Sequence, residues 1–235
     1  MPASAEGERP LGTVLVTGGA SGLGAAVAAA VRDGGGTPLV LDVKPPADGL
    51  EFHAADLSRP RQAEAVVRAA ADAHGGLDAV VTAAGIDACG DILDVDADVW
   101  DRVVMVNLLG TVAVVRAALP YLEASRGRAV TVASTLGLRA LPAATAYCAS
   151  KFGVVGFSRA LAAEMGERIG VTLLIPGGMR THFFDDRPEH FKPAADQRLN
   201  SPEDVARSVL FALRQPVGVE LRELLVTPAG EPSWP

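Results

Sequence analysis

Metal and disulfide chemistry have little to work with in this chain. Its 235 residues include two cysteines, Cys89 and Cys148, and four histidines. The cysteines make no metal-ligand spacing and the histidines are scattered, so no metal site is expected. So little cysteine reads as a disulfide-free protein in a reducing, cytoplasmic setting. Aromatic residues make up 5%, and the core must therefore be built from Ala, Val and Leu. Basic residues are outnumbered, 21 Lys and Arg against 28 Asp and Glu, which gives a formal charge of −7. That balance argues against nucleic acid or an anionic membrane as a partner. No apolar run approaches the ~18 residues of a membrane span. Residues 1–9 are polar and lack the apolar core of a signal peptide, and 1–10 are expected to be disordered.

Hydrophobic residues make up 49% and charged residues 21%. A chain of this length and composition suits one well-filled domain across 1–235. Apolar, β-branched runs predict strands over 13–17, 37–41, 52–57, 77–83, 128–134, 170–175 and 221–227. Helical patterns fall between them, over 25–32, 60–74, 100–123, 146–167 and 202–214. Alternation of this kind implies an α/β fold whose parallel sheet is covered on both faces. Right-handed crossovers make it a Rossmann-type doubly wound sheet of about seven strands.

The first strand runs into Gly18-Gly19-Ala20-Ser21-Gly22-Leu23-Gly24 and then a helix. Strand, glycine turn, helix is the context of a dinucleotide-binding turn. Gly18 permits the tight turn, Gly22 lets the backbone approach a pyrophosphate, and Gly24 lets helix and strand pack closely. The helix N-terminus meets the phosphate charge. Asp42 ends the second strand, where an acidic residue accepts the ribose hydroxyls of NAD. Ala83, Ala84 and Gly85 follow the fourth strand and are small enough for a ribose to lie against the backbone.

Tyr147 and Lys151 are four apart and share a helix face. A phenol titrates near 10, and an ammonium one turn away lowers that value. The pair is a candidate general acid and base, although a packed tyrosine beside a solvated lysine has the same spacing. Ser134 ends the fifth strand, placed to hydrogen-bond a carbonyl oxygen. Asn107 lies among valines and leucines in the 100–123 helix, where an unpaired amide would cost ~1–3 kcal/mol. That helix is apolar on most of its circumference and needs a partner on its outer side.

These residues resemble the short-chain dehydrogenase/reductase family in its single-domain form, over nearly the whole chain. The turn from Thr17 to Gly24 is similar to the family's cofactor turn, and Asp56-Leu57 to its adenine contact. Asn107, Ser134, Tyr147 and Lys151 match its catalytic positions in order. Pro176, Gly177 and Thr181 match its nicotinamide contact, with Met179 in place of a small β-branched residue. The resemblance implies that Ser21 and Leu23 belong to the cofactor turn and that Tyr147 exchanges a proton with substrate. It implies that Lys151 binds ribose hydroxyls, that Ser134 polarises the carbonyl, and that Asn107 holds a water. Thr82 stands where the family has asparagine, and is expected to hydrogen-bond locally.

The expected activity is NAD-dependent interconversion of a secondary alcohol and a ketone, since Asp42 disfavours the phosphate of NADP. An NADPH-dependent ketoreductase is the alternative within enzymes, and a non-catalytic dinucleotide sensor the alternative outside them. Ile86, Leu136, Leu141, Phe183 and Phe184 are candidates for the substrate pocket. Residues 180–200 read as a lid, whose phenylalanines either cover the pocket or pack on the core. The apolar helices imply a homo-oligomer, and the resemblance a homotetramer.

Overall fold

The computed structural model describes residues 7–231, 233 and 234. Strands β1 (Thr13–Thr17), β2 (Thr37–Asp42), β3 (Phe52–Ala54), β4 (Ala79–Thr82), β5 (Arg128–Val132), β6 (Gly170–Pro176) and β7 (Glu223–Val226) form one sheet. Their order is β3-β2-β1-β4-β5-β6-β7, and every pairing is parallel. The fold is the expected doubly wound one. The chain works outward from β1 to β3, then returns to β4 on the other side of β1. The crevice of an open α/β sheet lies at such a reversal.

Alternation along the strands sorts the core into two layers. Leu15, Leu39, Leu41 and Val80 face helices α2 (Pro60–Ala73), α4 (Thr111–Ser125) and α5 (Thr145–Met165). Val14, Val16, Val40 and Val81 face helices α1 (Gly22–Asp33) and α6 (Pro202–Leu213). Burying each such side chain stabilises the fold by about 1.5–3 kcal/mol. The shortage of aromatics is met by close packing of small residues, with Ala28, Ala63, Ala118 and Ala212 fully buried.

Helix ends follow local chemistry. The Ser201 hydroxyl accepts from Asp204 N at 3.1 Å ahead of α6, with Pro202 at the first helical position. Helix α1 begins at Gly22 rather than at residue 25, so the last glycines of the turn are already helical. Strand β3 stops at Ala54 rather than at residue 57. Asp56 Oδ1 accepts from Ser58 N at 2.9 Å, and this local turn draws the chain out of the sheet.

The helix expected over 100–123 is longer and is not uniform. Helix α3 (Ala97–Val104) starts on the Asp96 carboxylate, which accepts from Asp98 N at 2.9 Å and Val99 N at 3.3 Å. Met105–Gly110 then widens into a π-helical turn before α4 continues. By length and composition Ala97–Ser125 passes for a membrane span, contrary to the expectation from the sequence, yet 56% of its most apolar window is buried in the protein. The expected disorder over 1–10 also fails in part. Residues 1–6 lie outside the described residues, but Arg9 is anchored. Its amide donates to Arg214 O at 3.0 Å, and its guanidinium donates to Ser125 O at 2.9 Å and to Arg126 O.

Candidate active site

A cleft of about 700 Å³ opens at the carboxyl ends of the central strands. Every candidate cofactor residue lines it, from Gly18, Ser21, Gly22, Leu23 and Gly24 to Pro176, Gly177, Met179 and Thr181. Two glycines of the turn have positive φ, +69° at Gly18 and +54° at Gly22, which a side chain would strain. A Cβ on Gly24 would stand 2.2 Å from Gly18 O. Only glycine lets α1 start so close to β1.

Asp42 both braces this turn and faces the cleft. Its Oδ2 accepts from Ala20 N at 3.0 Å, and its Oδ1 accepts from Val43 N at 2.7 Å and Lys44 N at 3.2 Å. Asp56 and Leu57 lie further along the same wall. Burial pushes the Asp56 carboxyl up, but the Ser58 hydrogen bonds and Arg102 at 3.4 Å outweigh it and hold it below its ordinary value. Arg102 also lines the cleft, and nothing in the sequence singles it out.

The structure brings Ser134, Tyr147 and Lys151 together at the inner end. Ser134 follows β5, and its Oγ accepts from Leu136 N at 3.1 Å. Tyr147 and Lys151 occupy the first turns of α5 and are buried. Lys151 Nζ lies 5.6 Å from the Tyr147 ring centroid and donates to Val132 O at 2.9 Å. The expected lowering of the tyrosine by the lysine is not what this arrangement gives. Burial pushes the Tyr147 hydroxyl well above its ordinary value, and its hydrogen bond with Ser134 only partly offsets that. Burial also lowers Lys151, to about 8, with Asp87 opposing. Neither charged form is solvated here, so desolvation outweighs the attraction.

Asn107 sits in the π turn behind the cleft rather than on its lining. Its Oδ1 accepts from Ile86 N at 2.8 Å, and its Nδ2 donates to Ile86 O at 2.9 Å and Ser150 Oγ at 3.0 Å. Ala83, Ala84 and Gly85 line the wall in front of it. A Cβ on Gly85 would stand 3.5 Å from Asn107 Oδ1 and 3.6 Å from Lys151 Nζ. Thr82 does not hydrogen-bond as expected. Its hydroxyl is buried without a partner, and the neighbouring bond runs instead from Ala84 N to Thr17 Oγ1, at 3.1 Å.

Phe183 and Phe184 line the cleft next to Tyr147. The Phe183 ring centroid lies 5.6 Å from that of Tyr147 and 5.5 Å from that of Phe184. The Arg187 guanidinium stacks 5.2 Å and 4.6 Å from the two rings and pairs with the buried carboxylate of Asp87. Ile86, Leu136 and Leu141 complete the apolar wall. Asp87 and Arg187 are 100 positions apart, a pairing that no local pattern announces. Glu231 and Ser233 also line the cleft, from a proline-rich tail without hydrophobic periodicity.

Residues 12–191 match the short chain dehydrogenase family. The chain is 33% identical over 238 residues to glycine betaine reductase ATRR of Emericella nidulans, covering 93% of this chain and 19% of that protein. It therefore spans about a fifth of that relative's length. It is 30% identical over 226 residues to an uncharacterized oxidoreductase of Staphylococcus aureus strain MW2, covering 91% of this chain and 96% of the relative. Its fold is similar to that of ligand-free aldohexose dehydrogenase from Thermoplasma acidophilum, with TM-score 0.83, 24% identity and 92% of each chain covered. It is also similar to that of an alcohol dehydrogenase from Thermococcus sibiricus complexed with 5-hydroxy-NADP, with TM-score 0.78, 23% identity and coverage of 91% and 95%. At these identities the two structures compare the fold alone.

Lys151 sets a pH dependence of stability. Its value falls from 10.5 in water to about 8 in the fold. The buried charge therefore opposes folding fully below about 8, and the penalty fades as pH rises from 8 to 10.5. Lys151→Met removes both the penalty and its pH slope. Without dinucleotide, it is expected to stabilise the protein at pH 7 by about 1–3 kcal/mol. Urea unfolding checks this, and a variant no more stable than the wild type would show that the ammonium is solvated.

Proposed function

The chain belongs to the short-chain dehydrogenase/reductase family, and we propose that it is an NAD-dependent dehydrogenase interconverting a secondary alcohol and a ketone. The family's oxidoreductases bind nicotinamide dinucleotides, and the residues present fit one. Gly18, Gly22 and Gly24 line the cleft without side chains, and Gly85 leaves space in front of Lys151. One observation carries the reading: the Tyr147 hydroxyl, hydrogen-bonded to Ser134, is buried in the same cleft that the glycine turn and Asp42 line.

A bound nicotinamide would supply the hydride donor or acceptor and, when oxidised, a positive charge. Tyr147 Oη holds the proton that moves to or from the substrate oxygen. Its raised value makes it an acid ready for the reductive direction, and oxidation of an alcohol needs added positive charge to form the phenolate. Ser134 Oγ orients the same oxygen. Lys151 holds ribose hydroxyls and contributes charge. Phe183 and Phe184 shield the inner end from water, and the apolar wall favours a substrate with a hydrocarbon body. The free cysteines, Cys89 and Cys148, support a cytoplasmic setting.

The outer faces of α4 and α5 support an assembly of several copies. Leu109, in the π turn that leads into α4, and Phe152, on α5, are exposed, at 42% and 43%. In this reading those helices pair across a two-fold axis and the protein is a homotetramer with D₂ symmetry. A single-chain mass by light scattering at micromolar concentration would refute it.

Tyr147→Phe keeps the ring and removes the proton. It is expected to lower kcat at least ~10²-fold while leaving NADH binding nearly unchanged; turnover close to wild type would overturn the assignment. Cofactor choice tests Asp42 separately. A 2′-phosphate beside that carboxylate adds repulsion of about 4 kcal/mol at 4 Å and an effective dielectric near 20. Solvent reduces this, as does Lys44 two residues on, which can swing toward a phosphate, but no Lys or Arg lies among residues 19–21. The expected preference for NAD is at least ~10-fold in kcat/KM, narrowed by Asp42→Ala. Equal values with NADP would show that Asp42 is not the ribose acceptor.

A further inference from the structure

The segment after β7 turns back over the ends of β5 and β6 and inserts two side chains into the cleft. Glu231 is 9% exposed. Its Oε2 accepts from Gly178 N at 2.9 Å. Its Oε1 accepts from Ser233 N at 3.1 Å and from the Ser233 hydroxyl at 2.7 Å. Ser233 Oγ in turn lies 2.7 Å from Thr135 Oγ1.

Proton counting fixes the directions. A carboxylate has no proton to give, so Ser233 donates its only one to Glu231. Thr135 must then donate to Ser233. The result is a directed chain from Thr135 through Ser233 to Glu231, which Gly178 N meets from the other side. Hydrogen bonds to an ionised acceptor are the strong ones, and this carboxylate accepts three.

Both ends of the chain fall on loops of the reaction site. Thr135 directly follows Ser134 and opens the short 3-10 turn Thr135–Gly137. Ser134 Oγ is set by that turn, because it accepts from Leu136 N. Gly178 lies between Gly177 and Met179 in the loop after β6, the strand next to β5. A Cβ on Gly177 would stand 2.4 Å from Glu231 Oε2, so the carboxylate fills the space that glycine leaves. A turn that only finished the fold would have no need to contact both loops.

We propose that Glu231 and Ser233 are positioning residues: they hold the Ser134 loop at a fixed separation from the Gly177–Gly178 loop, and so set where Ser134 and Tyr147 meet the substrate oxygen. This rests on the reading of Ser134 and Tyr147 as the reacting groups. A misplacement of about 1 Å can cost ~10²-fold in rate. Loss of the strap therefore acts on kcat before it acts on binding.

The test pairs kinetics with a reporter that needs no turnover. Ser233→Ala is expected to lower kcat about 10-fold, with KM and the NADH dissociation constant within about threefold and the thermal midpoint lowered by only a few degrees. Ser233→Thr keeps the hydroxyl and should restore most of the rate. Tryptophan occurs twice, at Trp100 and Trp234, so Trp100→Phe leaves Trp234 as sole emitter. Its emission should be quenched by NADH through energy transfer, and less so when Ser233→Ala is added. Wild-type kcat in Ser233→Ala, a loss that Ser233→Thr fails to restore, or Trp234 emission indifferent to NADH would each overturn the proposal. If the wild-type enzyme turns over no alcohol or ketone, the reading of the reaction falls, and the Trp234 signal still decides whether the strap lies against the cleft.

Discussion

One buried amide ties the π turn, the loop after β4 and the start of α5 together behind the reacting groups. Asn107 takes both backbone groups of Ile86, after β4, and donates to Ser150 on α5. The Ser150 hydroxyl in turn donates to the backbone carbonyl of Tyr147 at 2.8 Å. The first turn of α5, with Tyr147 and Lys151, is thereby registered against the loop that follows β4. The π turn at Met105–Gly110 places the amide in the gap between these segments, and the Thr111 hydroxyl donates to Asn107 O at 2.8 Å within the widened turn. Widened turns of this kind recur at functional sites. Here the widening serves an amide that would otherwise be buried without partners.

The site held in this way is electrostatically uncomfortable. Lys151 and Tyr147 both lose solvation, and the protein compensates with one strand carbonyl and one serine hydroxyl. A fold selected for stability alone would place apolar residues there. The large alternating core of Leu, Val and Ala carries that burden, as expected where activity requires groups in unfavourable surroundings.

Much of this was legible in the sequence, and the parts that were not share a cause. Strand periodicity and glycine chemistry are local signals, so the doubly wound parallel sheet and the placement of Gly18, Asp42, Ser134 and Tyr147 at its strand ends and helix starts followed from them. Element ends were missed where a side chain overrides propensity: Asp96 extended α3 backward, and Asp56 cut β3 short. The spacing of Tyr147 and Lys151 reports proximity and says nothing of burial, which pushes the phenol up and the ammonium down in the cofactor-free fold. Asp87 with Arg187, and Glu231 with Ser233 and Thr135, join positions far apart in the chain. No periodicity marks such pairs; only the folded sheet brings them together. The π turn was invisible for a related reason, since an apolar run around Asn107 reads as ordinary helix.

The cleft gathers residues from Gly18 to Ser233, and this has a consequence for how the protein matures. Every strand end from β1 to β6, and the segment after β7, contributes to its lining. A chain lacking its final strand also lacks Glu231 and Ser233 from the cleft, so a ligand that uses the whole lining binds the finished molecule more tightly than a shortened one. At 100 times its Kd such a ligand adds about 2.7 kcal/mol to the finished fold. The surrounding pool of ligand acts as an inspector of completeness: intact chains are held against local opening and proteolysis, and truncated or misassembled ones are left with less of that protection.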